Sequence, residues 1–156
     1  MTVMRTIYAY APTLLIVGLW INVSEILRYF VFIMPMTRQT LAVVPDVAPM
    51  NLPVFLVWGL WDSLLILMSI TLTWLHRQAF GASLRSAVIA GTHAWLFLFV
   101  LFWVAMLNMN LATPLTMAVA LPLAWIELVV ASVLAMRFLP SPSERGPDPA
   151  HATARS

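Results

Sequence analysis

Residues 7–34 read IYAYAPTLLIVGLWINVSEILRYFVFIM, an apolar run whose ionisable members, apart from its tyrosines, are Glu25 and Arg28. A secretory signal core is about 7–15 residues long and is closed by a small-residue cleavage site. This run follows Arg5, is longer than such a core and lacks that site. A spanning helix needs about 20 apolar residues, so the stretch reads as a retained transmembrane helix over 8–34. Backbone groups in lipid must be satisfied within the segment, which makes it a helix and not a strand.

The rest of the chain repeats the pattern. Apolar segments at 53–75, 86–107 and 115–139 are each long enough to span, and prolines mark their limits. Pro35 is expected to end the first helix, Pro53 to start the second and Pro114 to open the fourth, where a missing N–H costs nothing. The fold class expected is all-α: an integral membrane four-helix bundle over residues 1–139, with no internal repeat. Residues 140–156, rich in Pro, Ser and Ala, are expected to form a disordered cytoplasmic tail.

Composition agrees. Of 156 residues, 62% are apolar and 9% charged, where a soluble domain carries roughly 25% charged residues. The absence of cysteine excludes disulfides, thiolate nucleophiles and thiolate metal centres. No phosphate loop, zinc-protease motif or nucleophile elbow is present, and neither a cofactor nor a metal is expected. The formal charge of +2 and a pI near 9.7 do not point to nucleic acid, because the arginines are scattered at helix ends. Arg5, Arg77, Arg85, Arg137, Arg145 and Arg155 fall on one side of a four-span chain and Arg38 on the other. The positive-inside rule then puts both termini in the cytoplasm.

The residues that carry chemistry are the ionisable ones inside the spans, since a charge at mid-bilayer is costly unless paired or wetted. They are Glu25 and Arg28 in the first helix, Asp62 in the second, His93 in the third and Glu127 in the fourth. At a rise of about 1.5 Å per residue, Glu25 and Asp62 each lie roughly 13 Å from the outer helix end, Glu127 about 18 Å and His93 about 21 Å. Asn22, Glu25 and Tyr29 share a helix face, and so do Trp58, Asp62, Leu65 and Ser69. Ala120, Ala124, Glu127 and Ala131 form a small-residue stripe of the kind that lines helix contacts in lipid, so Glu127 should point into the bundle.

Structural readings stand beside the functional ones. Glu25 and Arg28 have the spacing of an i, i+3 ion pair, and Asp62 is a second candidate partner for Arg28 across helices. His93 reads as a packing histidine as readily as a functional one. Trp61, Trp95 and Trp125 are candidate pocket walls or ordinary core and lipid-facing residues.

The stretch Trp74-Leu-His-Arg-Gln78, then Leu84-Arg85 and an apolar helix bearing His93, together with Ala124-Trp125-Ile126, resembles the EXPERA group of four-helix membrane proteins. The resemblance implies a pocket in the bilayer for a lipophilic, sterol-like molecule and, in part of the group, double-bond isomerisation through a protonated intermediate. It makes Glu25 and Asp62 the two pocket acids and Trp125 the pocket tryptophan. The group's histidine one turn before the first acid is Ile21 here, and its last-helix asparagine falls at Pro122.

The leading expectation is therefore a lipophilic-ligand site. Glu25 and Asp62 are its candidate catalytic pair, and Asn22, Arg28, Trp61, His93, Trp95, Trp125 and Glu127 its ligand-binding residues. Two alternatives stand beside it. One is a proton- or cation-coupled transporter, in which four helices per chain imply a homo-oligomer. The other is a non-catalytic membrane subunit whose polar residues hold helices together.

Overall fold

A computed structural model describes residues 2–47 and 49–140, with residues 2–7 described by backbone alone. Of the expected tail, all but Pro140 lies outside the described residues. The described chain is helical and contains no strand. Its elements are α1 (Thr2–Arg28), α2 (Met34–Thr40), α3 (Leu52–Phe80), α4 (Leu84–Trp95), α5 (Leu101–Asn108) and α6 (Pro114–Phe138). Single π-turns, Tyr29–Ile33 and Leu96–Val100, join α1 to α2 and α4 to α5 without a break. The result is four continuous apolar spans, Tyr8–Thr40, Leu52–Phe80, Leu84–Asn108 and Pro114–Phe138, each long enough to cross a bilayer. The chain is a multi-pass membrane protein. One end of the bundle carries the 41–51 and 109–113 connections; the other carries the 81–83 connection, the start of α1 and the end of α6.

Local sequence explains the helix limits. Asn51, Ser83 and Thr113 sit in extended backbone, and each side chain accepts a hydrogen bond from the N–H three residues on. Each thus satisfies one of the donors that a helix start leaves open. Pro53 and Pro114 occupy the first turns behind two of these caps. Gly81, at φ 81°, ends α3 in the left-handed region that a side chain would disfavour.

Pro35 behaves differently from its sequence expectation. The first span does not stop there but runs on to Thr40. The π-turn immediately before it widens the helix, with Met34 N–H bonding back to the Tyr29 carbonyl. Pro35 thereby falls in the first turn of a renewed α-helix, where its ring and missing N–H are tolerated. The second span likewise overruns its expected end, which brings His76 into the helix.

The third and fourth spans make the closest contact. Ala87, Ala90, Gly91 and Ala94 on α4 are buried, as are Ala120, Ala124, Ala131 and Ala135 on α6. A Cβ at Gly91 would stand 2.6 Å from both the Leu128 carbonyl oxygen and Val129 Cα. Only a bare backbone fits that crossing, as is common where van der Waals packing holds helices together in lipid. At the chain-end side, Thr13 Oγ1 donates to the Phe138 carbonyl at 2.7 Å. Arg77 Nη1 donates to that of Leu139, also at 2.7 Å. Spans one and two thus satisfy carbonyls that the end of α6 leaves open.

The second span packs against α1, α4 and α6, but has no comparable contact with α5. It therefore follows the third span over the chain-end half of the bundle and splays from it over the other half. That splay opens the site.

Candidate functional site

Three spans deliver ionisable groups to one place. Arg28 is buried and paired with two carboxylates, Glu25 one turn before it and Glu127 on the fourth span. Nη2 faces Glu25 Oε1, while Nε donates to Glu127 Oε2 at 3.3 Å. The third span contributes the face of Phe99, whose ring centroid lies 4.7 Å below the guanidinium carbon. A cation on an aromatic face is attracted by the ring quadrupole, so Arg28 is held by three spans at once. Of the two partners that spacing allowed Arg28, Glu25 is taken and Asp62 is not. The first span packs along α6, and Glu127, 2% exposed, faces it from the small-residue stripe.

Two buried carboxyl oxygens are left without a hydrogen-bond partner: Asp62 Oδ1 and Glu127 Oε1. Such groups carry a desolvation cost of about 1–3 kcal/mol in proteins. Glu25 and Glu127 thus share a single guanidinium, and Asp62 lines a small cavity beside Glu25.

Beside this cluster lies a cleft of about 540 Å³ between the first, second and third spans. Glu25 and Arg28 form its polar floor. Its walls are aromatic, chiefly Tyr29, Trp58, Trp61, Phe99, Phe102 and Trp103. Trp61 packs against Phe99 and Phe102 with centroids 6.3 Å away in each case, and Tyr29 packs against Trp58 at 4.5 Å. Thr37, Pro53 and Met106 reach the rim at the 41–51 end of the bundle. A smaller cavity of about 90 Å³ adjoins it, lined by Asn22 and Asp62 and sharing Glu25, Tyr29 and Trp58 with the main cleft. Both π-turns border the cleft, through Tyr29 and Ile33 on one side and Phe99 on the other. Such turns re-aim side chains and are frequent at functional sites.

No family model, curated protein or solved structure matches this chain.

Of the residues singled out from sequence, Asn22, Glu25, Arg28, Trp61 and Asp62 line the two cavities, and Glu127 joins them through Arg28. Asn22 also donates to the Gly18 carbonyl at 2.8 Å. The other three lie elsewhere. His93 pairs with His76, its Nδ1 being 3.0 Å from His76 Nε2, and stacks on Phe97. Trp95 donates to the Leu121 carbonyl at 2.8 Å. Trp125 is 38% exposed and donates to Thr92 Oγ1 at 3.1 Å.

Sequence reasoning set Trp58 on the face of Asp62 without making it a cleft wall, and missed Phe99, Phe102 and Trp103. The i, i+4 step from Trp58 to Asp62 was a usable signal. Phe99 and Trp103 had none, since an aromatic in an apolar span looks the same whether it faces lipid or a cleft. Among the described residues, no group of three or more His, Asp and Glu side chains is arranged to hold a metal ion.

Proposed function

We propose that the chain binds a lipophilic small molecule within the bilayer, in the cleft between its first three spans. The observation that carries this reading is the aromatic cleft with a polar floor, opening where the second and third spans part. Ligand sites are concave and mostly apolar, with few polar groups to fix orientation, and a splay between spans is open to lipid from the side. The EXPERA resemblance agrees with a ligand of this class.

The chemistry available is proton transfer to an unsaturated ligand. A buried carboxyl can act as a general acid where water is scarce. Glu25 is engaged by Arg28, whereas Asp62 has an oxygen without a partner, which makes Asp62 the better acid of the pair. It would protonate one carbon of a double bond. The cation on the neighbouring carbon would be stabilised by the Glu25 carboxylate and the Trp61 face. Loss of a proton from the next carbon would return Asp62 to its acid form, with the double bond moved and nothing consumed. Arginine placement puts the 81–83 connection and both termini in the cytoplasm, so that the cleft opens toward the exterior leaflet.

The test uses purified protein in nanodiscs against a panel of lipophilic amines and unsaturated sterols and isoprenoids. Saturable binding is expected. Glu25→Gln and Asp62→Asn should weaken it or stop isomer formation while the bundle stays folded. Binding and turnover unchanged in both variants would remove the shared-site reading and favour a structural subunit. A reporter fused after Ser156 should be active on the cytoplasmic side; activity on the exterior side alone would reverse the orientation.

A further inference from the structure

The small cavity beside the cleft differs from it in the polar atoms it offers. At the cleft floor Glu25 and Arg28 satisfy each other. The small cavity, of about 90 Å³, is bordered by the oxygen-bearing side chains of Asn22 and Glu25 from the first span and Asp62 from the second. What these three leave open are acceptors. Asp62 Oδ1 has no partner, on a residue only 8% exposed. Glu25 gives Oε1 to Arg28, which leaves Oε2. Asn22 turns its amide nitrogen to the Gly18 carbonyl at 2.8 Å, which leaves its Oδ1 as an acceptor.

An ionised carboxylate taken out of water is costly unless a cation meets it. The buried guanidinium of Arg28 is shared by Glu25 and Glu127, and Asp62 stands outside that pairing. The second span thus brings a nearly buried acid to a cavity in which the first span adds two further oxygens and no charge-matched partner.

Acceptor oxygens from two spans around a small space suit a hard cation, whose ligands are carboxylate, carbonyl and water oxygens. A cavity of this size has room for several water molecules beside an ion. Charge selects the valence. The carboxylate that Arg28 leaves uncommitted balances a single positive charge, whereas calcium gathers about six to eight oxygens and magnesium demands a near-ideal octahedron. The cavity is a separate space from the cleft, with Tyr29 and Trp58, their rings 4.5 Å apart, bordering both. Met50, at the end of the 41–51 connection, forms part of its wall.

We propose that this cavity binds a sodium ion, held by Asp62, Asn22 and Glu25, with water completing its shell. The site lies between two spans of a single chain, so no oligomer is needed to form it. Asp62 carries either the ion or a proton. On the reading that Asp62 is the acid for a ligand in the cleft, sodium therefore restrains proton transfer to that ligand.

The experiment is equilibrium dialysis of the full-length purified protein in nanodiscs against radioactive sodium. N-methylglucamine chloride keeps the ionic strength constant, and no lipophilic ligand is present. Saturable binding of one ion per chain is expected. Asp62→Asn, which keeps the shape and removes the charge, should weaken binding by at least about tenfold, and Asn22→Leu should weaken it several-fold. Should Asp62→Asn fail to fold, Asn22→Leu reads the same site. Absence of saturable binding in the wild type overturns the proposal. So does a folded variant of either kind that binds like the wild type, and so does tighter binding of magnesium than of sodium. Because the dialysis contains no lipophilic ligand, its failure leaves the cleft reading standing, and loss of ligand binding in the cleft leaves the ion site standing.

Discussion

The third span has two neighbours, and it meets them in opposite ways. Against the fourth span it lays down alanines and a glycine, and the backbones approach until Gly91 leaves no room for a Cβ. Toward the second span, from its π-turn onward, it presents Phe99, Phe102 and Trp103 to the cleft. In lipid there is no hydrophobic force to close a gap between helices. Contact is close where small side chains allow it, and bulky aromatics at the splayed half hold the spans apart. The seam and the cleft are thus products of the same packing rule, with the Arg28 cluster fixing the point where they meet.

The largest effect is expected where the two regions join. Arg28→Leu leaves Glu25 and Glu127 buried without their shared cation, and breaking a buried ion pair costs about 3–5 kcal/mol. Unfolding in mixed micelles should register a loss of that order. A change below about 1 kcal/mol, the range of surface pairs, would mean that the cluster does not hold the spans together.

Next comes the seam itself. Gly91→Ala places a methyl group against the backbone of Leu128 and Val129, and overpacking of this kind costs about 1–3 kcal/mol. Unfolding measurements should show this loss, with binding in the cleft failing only as far as the protein unfolds.

On the cleft side the balance of effects reverses. Trp61→Ala removes an aromatic wall that packs on Phe99 and Phe102. Affinity for a lipophilic ligand should fall by about tenfold, equivalent to 1.4 kcal/mol, while stability falls by less than in Gly91→Ala. A loss of stability greater than that of the seam variant would show that the cleft wall is ordinary core.

The smallest effect is a control. A Cβ at Gly59 would meet nothing within 4 Å, so Gly59→Ala should change stability by no more than about 0.5 kcal/mol. A loss comparable with that at Gly91 would show that glycine is needed for some reason other than close approach.

Much of the fold was legible before any coordinates. Four spans follow from hydropathy and length, and Asn22, Glu25, Arg28, Asp62 and Glu127 stood out because ionisable or amide groups are rare in apolar helices. The Glu25–Arg28 pair follows from i, i+3 spacing, and the inward direction of Glu127 from the alanines around it. All of these are local properties, set within one helix by a period of about 3.6 residues.

What only the tertiary structure decided is how the helices are turned toward one another. It joins Arg28 to Glu127 and leaves Asp62 outside that pairing. It makes Trp58 and Trp103 cleft walls beside Trp61, and turns Trp95 and Trp125 to other partners. It carries the first span past Pro35 through a π-turn and brings His76 into line with His93. In water, a helix announces its buried face by the contrast between apolar and polar sides. In a bilayer the outward face is as apolar as the inward one. The rotation and tilt of each span then come from side-chain packing against its neighbours, and that depends on all four spans together.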